Sequence, residues 1–272
     1  MNIKKYRIAA IGLALTATTL IACKESPKSE ESEEMLSEEA MVEQELPSIT
    51  IEKLMDSPAY ETASLSLKSP DVSETIPSGE TNFDFEVTNY ELGAITDSEN
   101  ANRLANSGKG QHIHFIVNNQ PYSAHYEPTF TKALPDGTHH LVAFLSRSYH
   151  ESVKNNNSVV VKKVQVGDEI TQELDMDAPT LIYSRPKGEY SGKDTENLLL
   201  DFFVINTTLS EDGNKVRATI NDEVFTIIEW APYIVKGLPM GEVSIKLELV
   251  DDNNQVIPGP FNSVTRTVTL KE

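Results

Sequence analysis

From Thr62 to the end of the chain, apolar and polar residues alternate with period two in short runs, and Gly, Pro, Asn and Asp interrupt the runs. Val216, Ala218 and Ile220 alternate with Lys215, Arg217 and Thr219; Val243, Ile245, Leu247 and Leu249 alternate with Ser244, Lys246 and Glu248. Successive side chains of a strand point to opposite faces, so the pattern predicts half-buried β-strands. No long stretch of period 3.6 competes with it, and the predicted class is all-β.

The runs also repeat. The stretch from Thr81 to Asn89 aligns with Leu198 to Asn206 and shares Asp84/Asp201, Phe85/Phe202, Val87/Val204 and Asn89/Asn206. Gly110 to Tyr122 aligns with Gly213 to Phe225, Leu134-Pro135-Asp136-Gly137 with Leu238-Pro239-Met240-Gly241, and Asn157-Ser158-Val159 with Asn262-Ser263-Val264. Each copy holds about seven short strands, the size and spacing of an immunoglobulin-like sandwich. Two tandem immunoglobulin-like β-sandwiches are therefore predicted, over 62–170 and 171–272, with the boundary in the acidic, turn-rich stretch between Gly167 and Asp177.

The repeat isolates what is particular to the first copy. All six histidines, His112, His114, His125, His139, His140 and His150, lie there, and the second copy has Lys215, Arg217, Ile228, Val243 and Ser244 at the positions aligned with the first five. Packing of the sandwich does not demand histidine at those places. Strand alternation puts Ile113, Phe115, Val117, His139, Leu141, Ala143 and Leu145 on the core side, and His112, His114, Ile116, His140, Val142 and Phe144 on the outer side. An outer face this apolar calls for a cover. The first copy carries an insertion, Gly93 to Lys109, where the second has only a short turn. It is expected to fold a helical turn over the histidine face and close a groove there.

Composition narrows the function classes. The 272 residues include 23 Lys and Arg against 42 Asp and Glu, a formal charge of −19, which argues against a nucleic-acid partner because counterion release needs clustered cations. One cysteine excludes a disulfide framework and a thiolate metal cluster. Catalysis finds little support: there is no Gly-x-Ser-x-Gly elbow, HExxH helix, Walker loop or dinucleotide-binding glycine motif. Trp230, the single tryptophan, is expected to pack at a domain edge.

That single cysteine has its own place. Lys4, Lys5 and Arg7 precede the uncharged run from Ile8 to Ala22, which has the order of a secretory signal and is too short to span a bilayer comfortably. The run ends in Leu20-Ile21-Ala22-Cys23, which resembles the bacterial lipobox. That resemblance implies a signal peptide over 1–22, lipid attachment at Cys23 and, with Lys24 following, an outer-membrane lipoprotein facing the periplasm or the cell surface. Residues 23–61 are read as the lipidated cysteine and a disordered acidic tether, since Lys24 to Pro47 is rich in glutamate and has no aromatic residue.

Three readings of the histidines stay open. In the first, His112-x-His114 places two imidazoles on one strand face, about 7 Å apart along the strand, and His125 or His140 completes a copper or zinc site. In the second, Gln111, His112, His114, Tyr122, His125, Tyr126, His140 and Arg147 present hydrogen-bond partners to a peptide, protein or glycan on a partly apolar groove. In the third they are structural, as expected above all for His139 at a strand start and His150 in a loop. The strings from Lys109 to Tyr122, His125-Tyr126 and Gly137 to Ser148 resemble a family of bacterial envelope lipoproteins usually labelled phosphopeptide-binding proteins. The resemblance covers roughly Leu65 to Val166 and implies non-enzymatic ligand binding by the first sandwich, although the chain lacks the Gly-Arg turn of the forkhead-associated phosphothreonine readers.

Replacing Cys23 by Ala is expected to move the protein from the membrane fraction to the soluble fraction. Mass spectrometry of the wild-type N-terminal peptide should find acyl chains on Cys23, and an unmodified thiol there would refute the anchor.

Overall fold

The computed structural model describes residues 48–272; the signal, Cys23 and the tether up to Pro47 lie outside them. The chain is built from sheets packed as two immunoglobulin-like sandwiches, with antiparallel strand pairing except that Gly188–Ser191 runs parallel to Ser263–Lys271. The first contains β2 (Ser64–Ser69), β3 (Gly79–Thr88), β4 (His112–Val117), β5 (Ser123–His125), β6 (Thr129–Leu134), β7 (Gly137–Ser146) and β8 (Val159–Val166). Its sheets have the orders β2-β3-β6 and β5-β4-β7-β8. The second contains β9 (Thr180–Arg185), β10 (Gly188–Ser191), β11 (Leu198–Ile205), β12 (Lys215–Ile220), β13 (Glu223–Ile227), β14 (Tyr233–Lys236), β15 (Gly241–Val250) and β16 (Ser263–Lys271). Aligned strand for strand, its orders β9-β11-β14 and β13-β12-β15-β16 repeat those of the first.

The shared asparagines explain part of the sequence repeat. Asn118 and Asn119 both have positive φ, and the Gln120 N–H donates to the Val117 carbonyl at 3.0 Å. That is a tight turn whose left-handed pair suits Asn, and the register of β4 with β5 leaves one extra residue beyond it. Asn221 and Asp222 hold the same conformation between β12 and β13. Asn89 and Asn206, which end β3 and β11, are left-handed as well.

Each sandwich has its own core. Phe83, Phe85, Ile113, Phe115, Leu141, Ala143 and Leu145 pack inside the first, and Leu181, Tyr183, Phe202, Val216, Ile245 and Leu247 inside the second. The face assignment made from alternation therefore holds on both sides. The outer face of the first sandwich is not exposed, however. Ile116, Val142 and Phe144 form a third cluster with Ile182 and Phe203 of the second sandwich. All ten residues of β7 are buried, whereas the equivalent β15 begins exposed on one face. The two sandwiches form one compact unit.

Polar groups at this seam find partners across it. The Asn119 side chain donates to the Leu181 and Phe261 carbonyls at 2.9 and 3.2 Å and accepts from the Tyr183 N–H at 2.8 Å. Asp201, fully buried on β11, accepts from the Ser152 N–H and hydroxyl and pairs with Lys154 at 2.5 Å. Trp230 lies beside Phe203 and donates from its indole N–H to the Phe202 carbonyl at 2.9 Å, which places it at the seam.

Two expectations are corrected here. The segment read as the end of a disordered tether is folded: β1 (Thr50–Lys53) pairs antiparallel with β14 of the second sandwich. The chain then crosses to the first, where Tyr60 packs edge-on to Tyr90. The alternation of Ile49, Ile51 and the run to Leu54 was too short to outweigh the acidic composition in the sequence, but sheet pairing and burial of Leu54 order it. The insertion also lies elsewhere than expected. It does contain one helical turn, α1 (Asn100–Arg103), but Leu104 after it packs with Leu54, Tyr149, Leu199 and Ile234 at the seam. The cover over the histidine face is the second sandwich.

Because Lys154 is left without its counter-ion when the buried carboxylate goes, Asp201→Ala is expected to lower the unfolding free energy by about 3 kcal/mol. Urea denaturation checks this, and a loss below about 1 kcal/mol would show that the pair contributes little.

Candidate metal centre

β4 brings His112 and His114 to the covered face, and both are fully buried. The chain after β7 supplies a third ring. Ser146 pairs with both His112 and Ser152, so the loop Arg147–Glu151 folds back over the end of β4. The His150 N–H donates to the Arg147 carbonyl at 2.9 Å, and His150 holds a left-handed backbone conformation, φ 71°, that non-glycine residues seldom adopt. This turn carries the His150 ring to within 5.0 Å of the His112 ring.

Three ring nitrogens then converge. His112 Nε2 lies 2.9 Å from His114 Nε2 and 3.2 Å from His150 Nδ1. One ligand atom from each histidine falls within a 4.8 Å group. Two imidazole nitrogens bound to one ion at 2.0–2.1 Å each stand about 3.3 Å apart, so the two contacts of His112 Nε2 are already near coordination spacing.

The surroundings prepare the nitrogens for that role. A carbonyl can only accept, so the 2.8 Å contact between His112 Nδ1 and the Gly110 oxygen fixes the proton on Nδ1 and leaves Nε2 with its lone pair toward the cluster. Gly110 has φ +82°, and a Cβ there would sit 2.2 Å from the Gly93 oxygen, so the carbonyl is presented by a position that accepts only glycine. His114 Nδ1 faces the Ser184 hydroxyl of the second sandwich at 3.3 Å, a group able to donate or accept. Tyr122 stacks on His114 with ring centroids 3.4 Å apart and places its hydroxyl 3.2 Å from His150 Nδ1. Tyr126 flanks His112 at 5.0 Å and shares a 2.8 Å hydrogen bond with Ser107 of the insertion.

Burial keeps the rings neutral. Desolvation pushes His112 down to about 4, and His114 and His150 also lie well below the ordinary imidazole range, again chiefly through desolvation and then through neighbouring charges that include Arg185 and Lys187. Neutral imidazole is the form that binds metal.

The remaining candidates are placed differently. His125 pairs across strands with Ile113 and so points to the core side, where it stacks on Phe130 at 3.4 Å; it does not join His112 and His114. His140 shares their face but stands four residues before Phe144, the cross-strand partner of His114, about 13 Å along β7. It packs near Phe261. His139 is held between the Asn118 side chain and the Pro135 carbonyl. Gln111 accepts from Tyr60 and Thr96 and donates to the Glu91 carbonyl. Arg147 is buried, pairs with Glu151 at 3.0 Å, and donates to the Ser152 and Pro58 carbonyls. The groove expected on the histidine face is therefore filled, and Gln111 and Arg147 are committed to the fold.

His150, read from the sequence as a structural loop residue, is the third ring of the cluster. Nothing in strand periodicity reports where a loop folds back. The covering surface, by contrast, had a signal: Leu198-Leu199-Leu200-Asp201-Phe202-Phe203-Val204 is almost continuously apolar where its counterpart alternates, as expected of a strand buried on both faces.

No family model matches the chain, and no curated protein is significantly similar to it. Solved structures are similar in architecture. Fibronectin(III)-like modules of Clostridium thermocellum CbhA share 16% identity over 76% of this chain and 94% of theirs, at a TM-score of 0.27. The two tandem V-type regions of VCBP3, a v-region-containing chitin binding protein, share 6% over 82% and 99%, at 0.23. Domains 4 and 5 of the S-layer protein SbsC share 11% over 77% and 98%, at 0.20. Scores this low carry no argument about function.

Acid is expected to destabilise the fold earlier than carboxylates alone would cause. An unfolded histidine takes up its proton near 6.5, while His112, His125 and His140 resist protonation down to about 4. Between those values the unfolded chain binds more protons, so stability is fully present above pH 6.5 and falls as pH drops toward 4. His112 alone couples on the order of 3 kcal/mol to this window. Urea midpoints measured from pH 7 to 4 should fall steeply, and His140→Phe should flatten the fall; a midpoint that stays level to pH 4.5 would contradict the assignment.

Proposed function

We propose that the protein is a non-enzymatic, lipid-anchored envelope protein that holds one metal ion with His112, His114 and His150. The observation that carries this reading is the convergence of three neutral imidazole nitrogens, two on fully buried rings and one on the partly buried His150, within 4.8 Å of one another. His112 Nε2, whose ring carries its proton on Nδ1 against the Gly110 carbonyl, turns its lone pair to both other rings, so an ion can take the place of the protons now shared there. The donor set suits zinc or copper, since imidazole is a shared ligand of both.

Binding of a peptide, protein or glycan on this same face is less well supported. His112, His114, Ile116, Val142 and Phe144 are covered by the second sandwich, which leaves no open groove on this face for such a partner. The anchoring half of the proposal rests on the lipobox-like Leu20-Ile21-Ala22-Cys23.

Elemental analysis of the full chain carrying Cys23→Ser, loaded with zinc or copper and then desalted, should find close to one metal per chain. His150→Gln and the double change His112→Ala, His114→Ala should each remove it, and His125→Ala should not. Retention of the metal by all these variants, or no metal in the parent, would overturn the reading.

A further inference from the structure

The charges around the cluster bear on which ion it takes. Among the described residues, no carboxylate and no thiolate belongs to the group of ligand atoms. Apart from Glu151, which Arg147 neutralises, the fixed charges around the cluster are cationic. Lys187 donates to the Tyr122 carbonyl at 2.7 Å and sits 3.7 Å from the centroid of the Tyr122 ring that stacks on His114. Arg185, buried, lies 5.3 Å from the same ring and donates to the Tyr190 hydroxyl. Arg266, which donates to the Ser184 and Asn119 carbonyls, completes a cationic wall whose partners here are neutral.

An entering ion meets that field in proportion to its own charge, so a divalent ion is repelled twice as strongly as a monovalent one. The cost of stripping an ion of water rises faster than its charge, and His112 and His114 are fully shut from solvent. Aromatic rings close the surroundings: Tyr122 on His114, Phe144 edge-on to it at 5.1 Å, and Tyr126 beside His112. The Tyr122 hydroxyl, beside His150 Nδ1, is the polar group these rings offer, and it is neutral, so the walls supply no counter-charge. Zinc in proteins is almost always four-coordinate, whereas a d¹⁰ monovalent ion is satisfied by three neutral nitrogen donors.

We infer that the cluster of His112, His114 and His150 selects monovalent copper, Cu(I), over zinc and other divalent ions. The inference rests on the metal reading above and adds the oxidation state and the reason for it: a neutral ligand set inside an uncompensated cationic wall. Lys187 acts on the ion through space and is a positioning and selectivity residue, not a ligand.

The test is anaerobic titration of the full chain carrying Cys23→Ser, with Cu(I) in competition with a chromophoric Cu(I) chelator and zinc in competition with a zinc indicator. Cu(I) is expected to bind at one equivalent and at least a hundredfold more tightly than zinc, and His150→Gln, in a loop, should abolish that binding without touching either sheet. Lys187→Met should lower the Cu(I)-to-zinc affinity ratio about tenfold by relieving the divalent ion more than the monovalent one. Zinc bound as tightly as Cu(I), or a ratio unmoved by Lys187→Met, would overturn this inference and leave the metal reading intact. Failure of both ions to bind would overturn the metal reading itself. Circular dichroism of each variant confirms that the sandwiches have formed before the affinities are compared.

Discussion

The contact between the outer face of β4–β7 and the outer face of β9–β11 sets the conditions for everything else in this molecule. Ile116, Val142 and Phe144 cannot stay in water as one contiguous surface, and Ile182 and Phe203 on the facing sheet have the same need. Bringing the two faces together turns a pair of linked sandwiches into one unit with a dry seam. The histidines lie inside that seam, so their neutrality follows from the same apolar burial that holds the sandwiches together.

A seam of this kind must also satisfy the polar groups it swallows. Asn119 occupies the backbone hydrogen-bonding positions of Leu181 and Tyr183 much as a neighbouring strand would, and Asp201 is matched to Ser152 and Lys154. The strap from β1 to Tyr60 seals one end: Leu54 enters the seam, and Ser57 hydrogen-bonds Glu151, which is paired with Arg147. This network holds the loop that carries His150. The ring reaches the cluster because its loop is pinned at both ends, by Arg147 and by Glu151, and its unusual backbone is tolerated inside that frame.

The two sandwiches share one strand order yet use the equivalent sheet face in opposite ways. On the second, Lys215 and Arg217 keep the outer side of β12 in solvent, with Arg217 paired to Glu248 on β15. On the first, His112 and His114 occupy those places and are covered. Exchange of charged for neutral titratable side chains is what made the face coverable, because a buried Lys or Arg without a partner would cost far more than a buried imidazole.

The all-β class, the duplication, the hairpin turns at Asn118-Asn119 and Asn221-Asp222, and the inner and outer faces of β4 and β7 were legible in the sequence, because strand periodicity and left-handed turn residues are local properties of the chain. His112 and His114 stood out for the same reason, as neighbours on one face. What covers that face, which third histidine joins them, and the ordering of residues 48–61 were decided only by tertiary structure. Each depends on groups distant in sequence, Phe203 against Phe144, His150 against His112, and Ile51 against Val235, whose meeting is governed by burial and pairing across the whole fold. Composition pointed away from an ordered strand before β2, and strand position pointed toward His125 and His140 as ligands. The strap's sheet pairing, the register that places His125 opposite Ile113, and the length of β7 separating His140 from the cluster reversed those readings.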